Sequence, residues 1–176
     1  MKISAIAVAG LFLFLAISCA YAGDADTARY FNRIGRECGE RGDYDGAITN
    51  FQKAIEQDPD YVYPWLNAGV AYSKKGEYDL AIKHLEKAME LNPRLPEIYA
   101  HLGTVYEQKG DLAAAVEFSK KALSLRQDSP TSIYNLGYSY LLEGDKKAAQ
   151  EQCRLLKELK EPALADKLQE KIKQKQ

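Results

Sequence analysis

Residues 65–93, WLNAGVAYSKKGEYDLAIKHLEKAMELNP, contain two short helical patterns separated by a turn. In the first pattern, Trp65, Gly69 and Tyr72 are spaced as i, i+4 and i+7, which places them on one face of an α-helix. Gly76 ends this pattern, because glycine adopts the left-handed conformation of a helix C-cap at little cost. The stretch therefore begins with a predicted amphipathic helix.

A second helix is predicted immediately after this turn. Glu77 stands at its start, where an acidic side chain suits both the N-cap and the helix dipole. Ala81, Leu85 and Ala88 form its apolar stripe, and Pro93 ends it. Small residues in both stripes allow the helices to approach closely, while the larger ones fill the space beside them. The stretch thus predicts a packed helix pair.

The same pattern recurs along the chain with a period of 34 residues. Three series have this spacing: Gly35, Gly69, Gly103 and Gly137; Gly42, Gly76, Gly110 and Gly144; Ala47, Ala81, Ala115 and Ala149. Three independent series with one spacing indicate four copies of the helix pair. We place the repeats at residues 28–61, 62–95, 96–129 and 130–163, with Pro96 and Pro130 opening the last two.

A further helix is expected at residues 164–176, where Leu164, Leu168 and Ile172 form a narrow apolar stripe in a polar segment. A stacked array exposes its last apolar face unless a terminal element covers it. This segment is therefore predicted to be a capping helix.

The pattern resembles the tetratricopeptide repeat (TPR) family over about residues 28–163. The best match is carried by Trp65, Gly69, Tyr72, Gly76, Tyr78, Ala81, Leu85, Ala88 and Pro93. Cys38, Ser119 and Glu161 depart from the residues that the family favours. The resemblance implies an all-α fold, a right-handed α-solenoid of helix-turn-helix repeats. It also implies a protein–protein interaction module that binds a peptide or protein segment.

In TPR proteins the first helix of each pair lines a concave groove, where partner segments bind. Residues one step round from the packing stripe are expected there: Arg29, Asn32, Arg36, Tyr63, Leu66, Asn67, Val70, Glu97, Ala100, His101, Thr104, Tyr134, Asn135, Tyr138 and Leu141. This set predicts a groove that is basic at its N-terminal end, smooth in the middle and aromatic at its C-terminal end. Tyr134 and Tyr138 have an alternative role, packing against neighbouring helices. Asn67 and Asn135 match a residue that is common in the family.

Some TPR proteins clamp the C-terminal carboxylate of chaperone tails with lysine, asparagine and arginine side chains. This chain keeps Asn67 at a matching position, but Asn32 and Arg36 replace the lysine and asparagine of the first repeat. Glu97 and His101 replace the cations of the third repeat. We therefore expect no binding of such tails.

Composition and motifs argue against catalysis and nucleic-acid binding. Lys and Arg number 24 and Asp and Glu number 25, so the net charge is −1 and lacks the basic excess of nucleic-acid-binding domains. His84 and His101 lie far apart, without cysteine or carboxylate clusters at metal-binding spacing. No catalytic or phosphate-binding motif is present. We expect no enzymatic activity, no cofactor and no metal.

The N-terminus is typical of an export signal. Lys2 precedes an apolar run over residues 5–17, and Ala20-Tyr21-Ala22 fits a cleavage site, which predicts a signal peptide at residues 1–22 and a periplasmic or secreted protein. Two alternatives remain open: an uncleaved anchor, and a lipoprotein of the outer or inner membrane with its lipid on Cys19, although Ala16 replaces the usual leucine of a lipobox. Membrane tethering is expected only in these alternatives.

The predicted function is that of an exported scaffold or assembly factor with a partner of unknown identity. Its alternatives are a lipid-anchored envelope assembly factor and an accessory subunit of an enzyme complex. Cys38 and Cys153 fall on apolar helix positions in the first and last repeats, so we expect two separate buried thiols and no disulfide between them.

Overall fold

The computed structural model describes residues 25–126 and 128–174, and within them all regular structure is helical. Helix α1 covers residues 25–40. The following helices are α2 (Tyr44–Gln57), α3 (Val62–Lys74), α4 (Tyr78–Leu91), α5 (Pro96–Lys109), α6 (Leu112–Leu125), α7 (Pro130–Glu143), α8 (Lys146–Glu158) and α9 (Pro162–Gln174). The predicted signal peptide at residues 1–22, which includes Cys19, lies outside the described residues.

The turn inside each helix pair has the predicted chemistry, with one exception. Gly42, Gly76, Gly110 and Gly144 all adopt positive φ angles, between 79° and 94°. The carboxylates of Asp43, Asp111 and Asp145 accept hydrogen bonds from backbone N–H groups three residues on, at 2.9, 3.1 and 2.9 Å. Glu77 was predicted to cap α4 but makes no such hydrogen bond. Its longer side chain pairs instead with Lys75 Nζ at 2.6 Å.

Glycines in the first helices let each helix pair pack closely. A Cβ atom on Gly69 would lie 2.7 Å from Leu85 Cγ, which is closer than side-chain packing allows. The connections into the second and third pairs are also fixed by hydrogen bonds that follow the repeat period. Trp65 Nε1 donates to Pro59 O at 2.9 Å, and Tyr99 OH, 34 positions on, donates to Pro93 O at 2.9 Å. Equivalent residues of the second and third repeats therefore make equivalent hydrogen bonds.

The apolar interior forms two clusters. The N-terminal cluster extends from Cys38 to Val105, and the C-terminal cluster extends from Ile133 to Ile172. Cys38 and Cys153 are both buried and unpaired, in separate clusters. The stack thus places the two thiols in different repeats.

Helix α9 packs against α7 and α8 and closes the C-terminal cluster. It begins at Pro162, two positions before the predicted start of the capping helix at 164. Its own residues Ala165, Leu168 and Ile172 are buried. The thiol of Cys153 donates to Ala165 O at 3.3 Å. The array of helix pairs with a terminal capping helix is an all-α solenoid.

Candidate functional site

Three adjoining cavities lie along the first helices of the pairs, and together we call them the groove. The N-terminal cavity, about 380 Å³, lies among α1, α3 and α5. The central cavity, about 410 Å³, lies among α3, α5 and α7. The inner cavity, about 250 Å³, lies between α1 and α3 and reaches α2. Because the cavities share wall residues, the groove offers one extended surface to a partner.

The structure brings most of the sequence-predicted site residues into this groove. Those lining the N-terminal or central cavity are Asn32, Arg36, Tyr63, Leu66, Asn67, Val70, Glu97, Ala100, His101, Thr104 and Asn135. Arg29 is not among the lining residues, and its guanidinium pairs with Asp26 at 2.7 Å at the exposed start of α1. Tyr134, Tyr138 and Leu141 lie apart from these cavities, near α9.

The N-terminal cavity has a hydrogen-bonded floor. Asn67 Nδ2 donates to Asn32 Oδ1 at 2.9 Å, and Asn32 Nδ2 donates to the Tyr61 hydroxyl at 3.4 Å. Asn32 and Leu66 are each only 7% exposed. Both were predicted to face a partner, but Asn32 is hydrogen-bonded to Asn67 and Tyr61, and Leu66 belongs to the N-terminal apolar cluster. Asn67 and Tyr63 remain accessible to a partner.

The middle of the groove is charged, and the prediction that it is smooth was wrong. Glu97 Oε1 pairs with Arg126 Nη1 at 3.1 Å, while Glu97 Oε2 is buried without a hydrogen-bond partner among the described residues. Burial lowers the pKa of His101; the carboxylate of Glu97 opposes this shift, and the charge of Lys74 adds to it. Side chains from α3, from α5 and from the segment that follows α6 therefore meet here.

The aromatic C-terminal end of the predicted groove is covered by α9. Tyr134 and Tyr138 stack with their ring centroids 6.4 Å apart. Lys167 Nζ and Lys171 Nζ of α9 lie 5.1 and 4.4 Å from the centroids of these two rings. Leu141 is only 1% exposed and belongs to the C-terminal cluster. Both tyrosines thus pack against a neighbouring helix, and both are half-buried.

Sequence reasoning missed several side chains that line the groove, among them Tyr61, Lys74 and Arg126. Lys74 lies four residues after Val70, so extending the helical period by one turn would have found it. Tyr61 is the N-cap residue of α3 and Arg126 follows α6, so neither lies on a helix face that periodicity describes.

Within residues 25–126 and 128–174, no group of three His, Cys, Asp or Glu side chains is arranged to hold a metal ion. None of the helices in this part of the chain has the length and apolar character needed to cross a membrane.

Comparisons with known proteins place the chain in a family. The family model described as TPR repeat matches residues 35–76 and 71–110, and the one described as Tetratricopeptide repeat matches residues 96–129 and 130–171. No curated protein sequence matches the chain significantly.

Solved structures with similar folds include a MamA protein at 25% identity and a TM-score of 0.67, covering 85% of this chain and 90% of that one. MamA residues 41–end from Desulfovibrio magneticus RS-1 give 26% identity and a TM-score of 0.69, covering 76% and 75%. The first TPR of Spaghetti (RPAP3), bound to the HSP90 peptide SRMEEVD, has 20% identity and a TM-score of 0.65. The match covers 68% of this chain and 95% of that one. Because these family models together match residues 35–171, the chain belongs to the tetratricopeptide repeat family.

Proposed function

We propose that this protein is a non-enzymatic interaction module that holds a segment of a partner protein in the groove. The observation that carries the proposal is the row of adjoining cavities along the first helices, lined by side chains that can both pack and hydrogen-bond. An open, elongated surface of this kind fits an extended segment better than a small molecule. The same fold holds a short HSP90 peptide in the first TPR of Spaghetti (RPAP3).

The structure narrows the expected path of the bound segment. Because the rings of Tyr134 and Tyr138 are half-buried against α9 and lie apart from the groove, we assign apolar anchoring to the groove itself. There Tyr63 is 46% exposed and stands edge-to-face with Tyr61, with their ring centroids 5.8 Å apart. Aromatic side chains in such positions commonly act as binding hot spots. We therefore place the apolar contact of the partner at this tyrosine pair.

A matched pair of substitutions tests the groove. Tyr63→Ala removes an exposed ring inside it, and Leu80→Ala removes a 40% exposed side chain outside it. After capture and identification of the partner from the host, Tyr63→Ala is expected to weaken its binding by about 1–3 kcal/mol. Leu80→Ala is expected to leave the affinity unchanged. Parent-like affinity in Tyr63→Ala, with circular dichroism showing an intact fold, would refute the groove as the binding site.

We further propose that the protein acts after export, in a periplasmic or extracellular compartment. The support is the sequence pattern ending at Ala22, which lies outside the described residues. The intact mass of protein from its host provides the test. A chain beginning at Gly23 supports a soluble scaffold, and a lipid-modified chain beginning at Cys19 supports the anchored assembly factor. A chain that retains residues 1–22 contradicts cleavage.

A further inference from the structure

Each helix pair meets the next at an interface that we call a joint. The first joint lies between the α1–α2 and α3–α4 pairs, the second between α3–α4 and α5–α6, and the third between α5–α6 and α7–α8. Because the pattern repeats every 34 residues, the same positions can be compared at all three joints. The third joint differs from the other two in three ways.

The first difference concerns two positions of each first helix that the preceding pair covers. In α1, which no described helix pair precedes, these positions are held by Tyr30, which is 53% exposed, and Glu37, whose side chain is 41% exposed. The equivalent residues of α3 and α5 are apolar and buried: Pro64, Ala71, Ile98 and Val105. In α7 they are Ser132 and Ser139, which are buried as well. The third joint therefore buries hydroxyl groups where the other two bury apolar side chains.

The hydroxyl groups at the third joint are poorly satisfied. Ser139 Oγ is buried without a hydrogen-bond partner among the described residues, and so is Ser119 Oγ on α6. Ser119 stands at the position that Phe51 and Leu85 hold in the first two pairs, where both belong to the N-terminal cluster. A buried hydroxyl without a partner has lost its hydrogen bonds to water. It therefore favours a state in which the joint is open to solvent.

The second difference is a missing hydrogen bond. At the first joint Trp65 Nε1 donates to Pro59 O, and at the second Tyr99 OH donates to Pro93 O, each at 2.9 Å. Each bond ties a first helix to the residues that follow the preceding second helix. The equivalent residue at the third joint is Ile133, whose side chain has no donor. The third joint therefore lacks this tie.

The third difference is a missing ion pair. Lys75 Nζ lies 2.8 Å from a carboxylate oxygen of Asp45 across the first joint. Lys109 Nζ lies 2.6 Å from a carboxylate oxygen of Asp79 across the second. The equivalent residues at the third joint are Ala113 and Glu143, which cannot form an ion pair.

Contacts of a less directional kind still hold the third joint together. Leu123 of α6 packs against the C-terminal cluster, and Lys120 Nζ lies 5.3 Å from the ring centroid of Tyr140 on α7. Apolar and cation–π contacts tolerate changes of angle better than a hydrogen bond does, because they depend less on the alignment of two atoms. The helices can therefore stay in contact while the angle between them changes.

We propose that the third joint is a hinge of the array, about which α7, α8 and α9 move as one unit relative to α1–α6. The central cavity is lined from both sides of this joint, by Thr104 of α5 and Asn135 of α7 among others. Movement at the hinge therefore changes the width of the groove at its middle. It leaves the N-terminal and inner cavities unchanged, because their walls come from α1 to α5 and the segments between them.

Thiol labelling of protein lacking residues 1–22 tests the hinge. Ser139→Cys, the hinge reporter, places a thiol at the third joint. Val105→Cys, the control reporter, places one at the equivalent position of the second joint, and both sites are 1% exposed. The native Cys38 and Cys153 report on the two sides of the hinge, and peptide mass spectrometry follows each thiol separately.

We expect the introduced thiol of the hinge reporter to be labelled about tenfold faster than that of the control reporter, under native conditions. Cys153, which is buried within the moving unit, should stay as protected as in the parent. This combination separates movement of an intact unit from its unfolding. Because Ser139→Cys also removes one unpaired hydroxyl, the difference between the two reporters understates the difference between the native joints.

Exchange of the ion pair between joints provides matched variants. Ala113→Asp with Glu143→Lys gives the third joint the charges of the second, and should slow labelling of the hinge reporter about two- to fivefold. Asp79→Ala with Lys109→Glu gives the second joint the chemistry of the third, and should accelerate labelling of the control reporter by about the same factor.

Equal labelling rates in the two reporters would refute the hinge, since the third joint would then open no more readily than the second. Labelling of Cys153 at the rate of the hinge reporter would also refute it, because the unit would then unfold rather than move. So would a hinge reporter that is labelled no more slowly after the ion pair is restored. The measurement needs no partner, so it is independent of the proposed function of the groove.

Discussion

Gly69 and Gly39 show how helix packing decides whether a glycine can be replaced by a larger residue. A Cβ atom on Gly69 would lie 2.7 Å from Leu85 Cγ and 3.1 Å from Ala81 O, whereas on Gly39 it would meet only Ala47 Cβ, at 3.9 Å. Gly69→Ala is therefore expected to destabilise the fold by about 1–3 kcal/mol through overpacking. Gly39→Ala is expected to stabilise it by about 0.5–1 kcal/mol, since alanine favours the helix. Urea unfolding of both variants is the measurement, and equal effects would contradict the close approach at Gly69.

Glu107 on α5 gives a second prediction at the scale of a residue. Burial raises its pKa to about 7, and the charge of Lys171 on α9 partly opposes this. Since the folded-state pKa exceeds the unfolded value, the contribution of Glu107 to stability is complete below about pH 4.5 and is lost as the pH rises through about 7.

Glu107→Gln removes this titration. The free energy of unfolding of the variant should therefore increase relative to that of the parent as the pH rises from about 4.5 to about 7. We expect a relative gain of about 1–2 kcal/mol, allowing for partial exposure to solvent. The titration of His101 has the opposite effect on stability, because its lowered pKa makes the folded state less stable at acidic pH. The comparison must therefore be made between parent and variant at each pH by chemical denaturation. A constant difference across the range would refute the shifted pKa of Glu107.

At the scale of the element, α9 is held both by its apolar face and by cation–π contacts. Leu168 is fully buried, and Lys171 lies over the ring of Tyr138. Leu168→Ala is expected to cost about 2–5 kcal/mol and to loosen α9 over Cys153. The rate at which a thiol reagent labels Cys153 in protein lacking residues 1–22 should therefore increase. Cys38, in the other cluster, is the internal control, and equal acceleration at both thiols would indicate global unfolding instead.

At the scale of the whole molecule, the two apolar clusters predict two units of local stability. In repeat arrays each unit contacts mainly its neighbours, so damage spreads weakly along the stack. Leu85→Ala should accelerate amide hydrogen exchange most in α3 and α4, and Leu156→Ala most in α8 and α9. Hydrogen exchange followed by mass spectrometry measures both. Uniform acceleration along the chain in either variant would mean that the array unfolds as a single unit.

The sequence by itself determined the repeated helix pairs and most of the groove. Helices α3, α5 and α7 begin at Val62, Pro96 and Pro130, the predicted first residues of the second to fourth repeats. Apolar spacing, glycine C-caps and proline are local features, so they can be recognised from neighbouring residues in the sequence alone. The residues one step round from the packing stripe follow from the same period, and Asn67 and Thr104, which were chosen in this way, line the groove cavities.

Only the tertiary structure decided which part of that surface is open. Periodicity shows that Tyr134, Tyr138 and Leu141 lie off the packing stripe, but not that α9 lies over them. It likewise could not bring Arg126, which follows α6, to Glu97 on α5. The physical reason is that a helical period fixes the direction of a side chain about its own helix. What meets that side chain depends on how helices distant in sequence stack, and that follows from burying apolar surface between repeats.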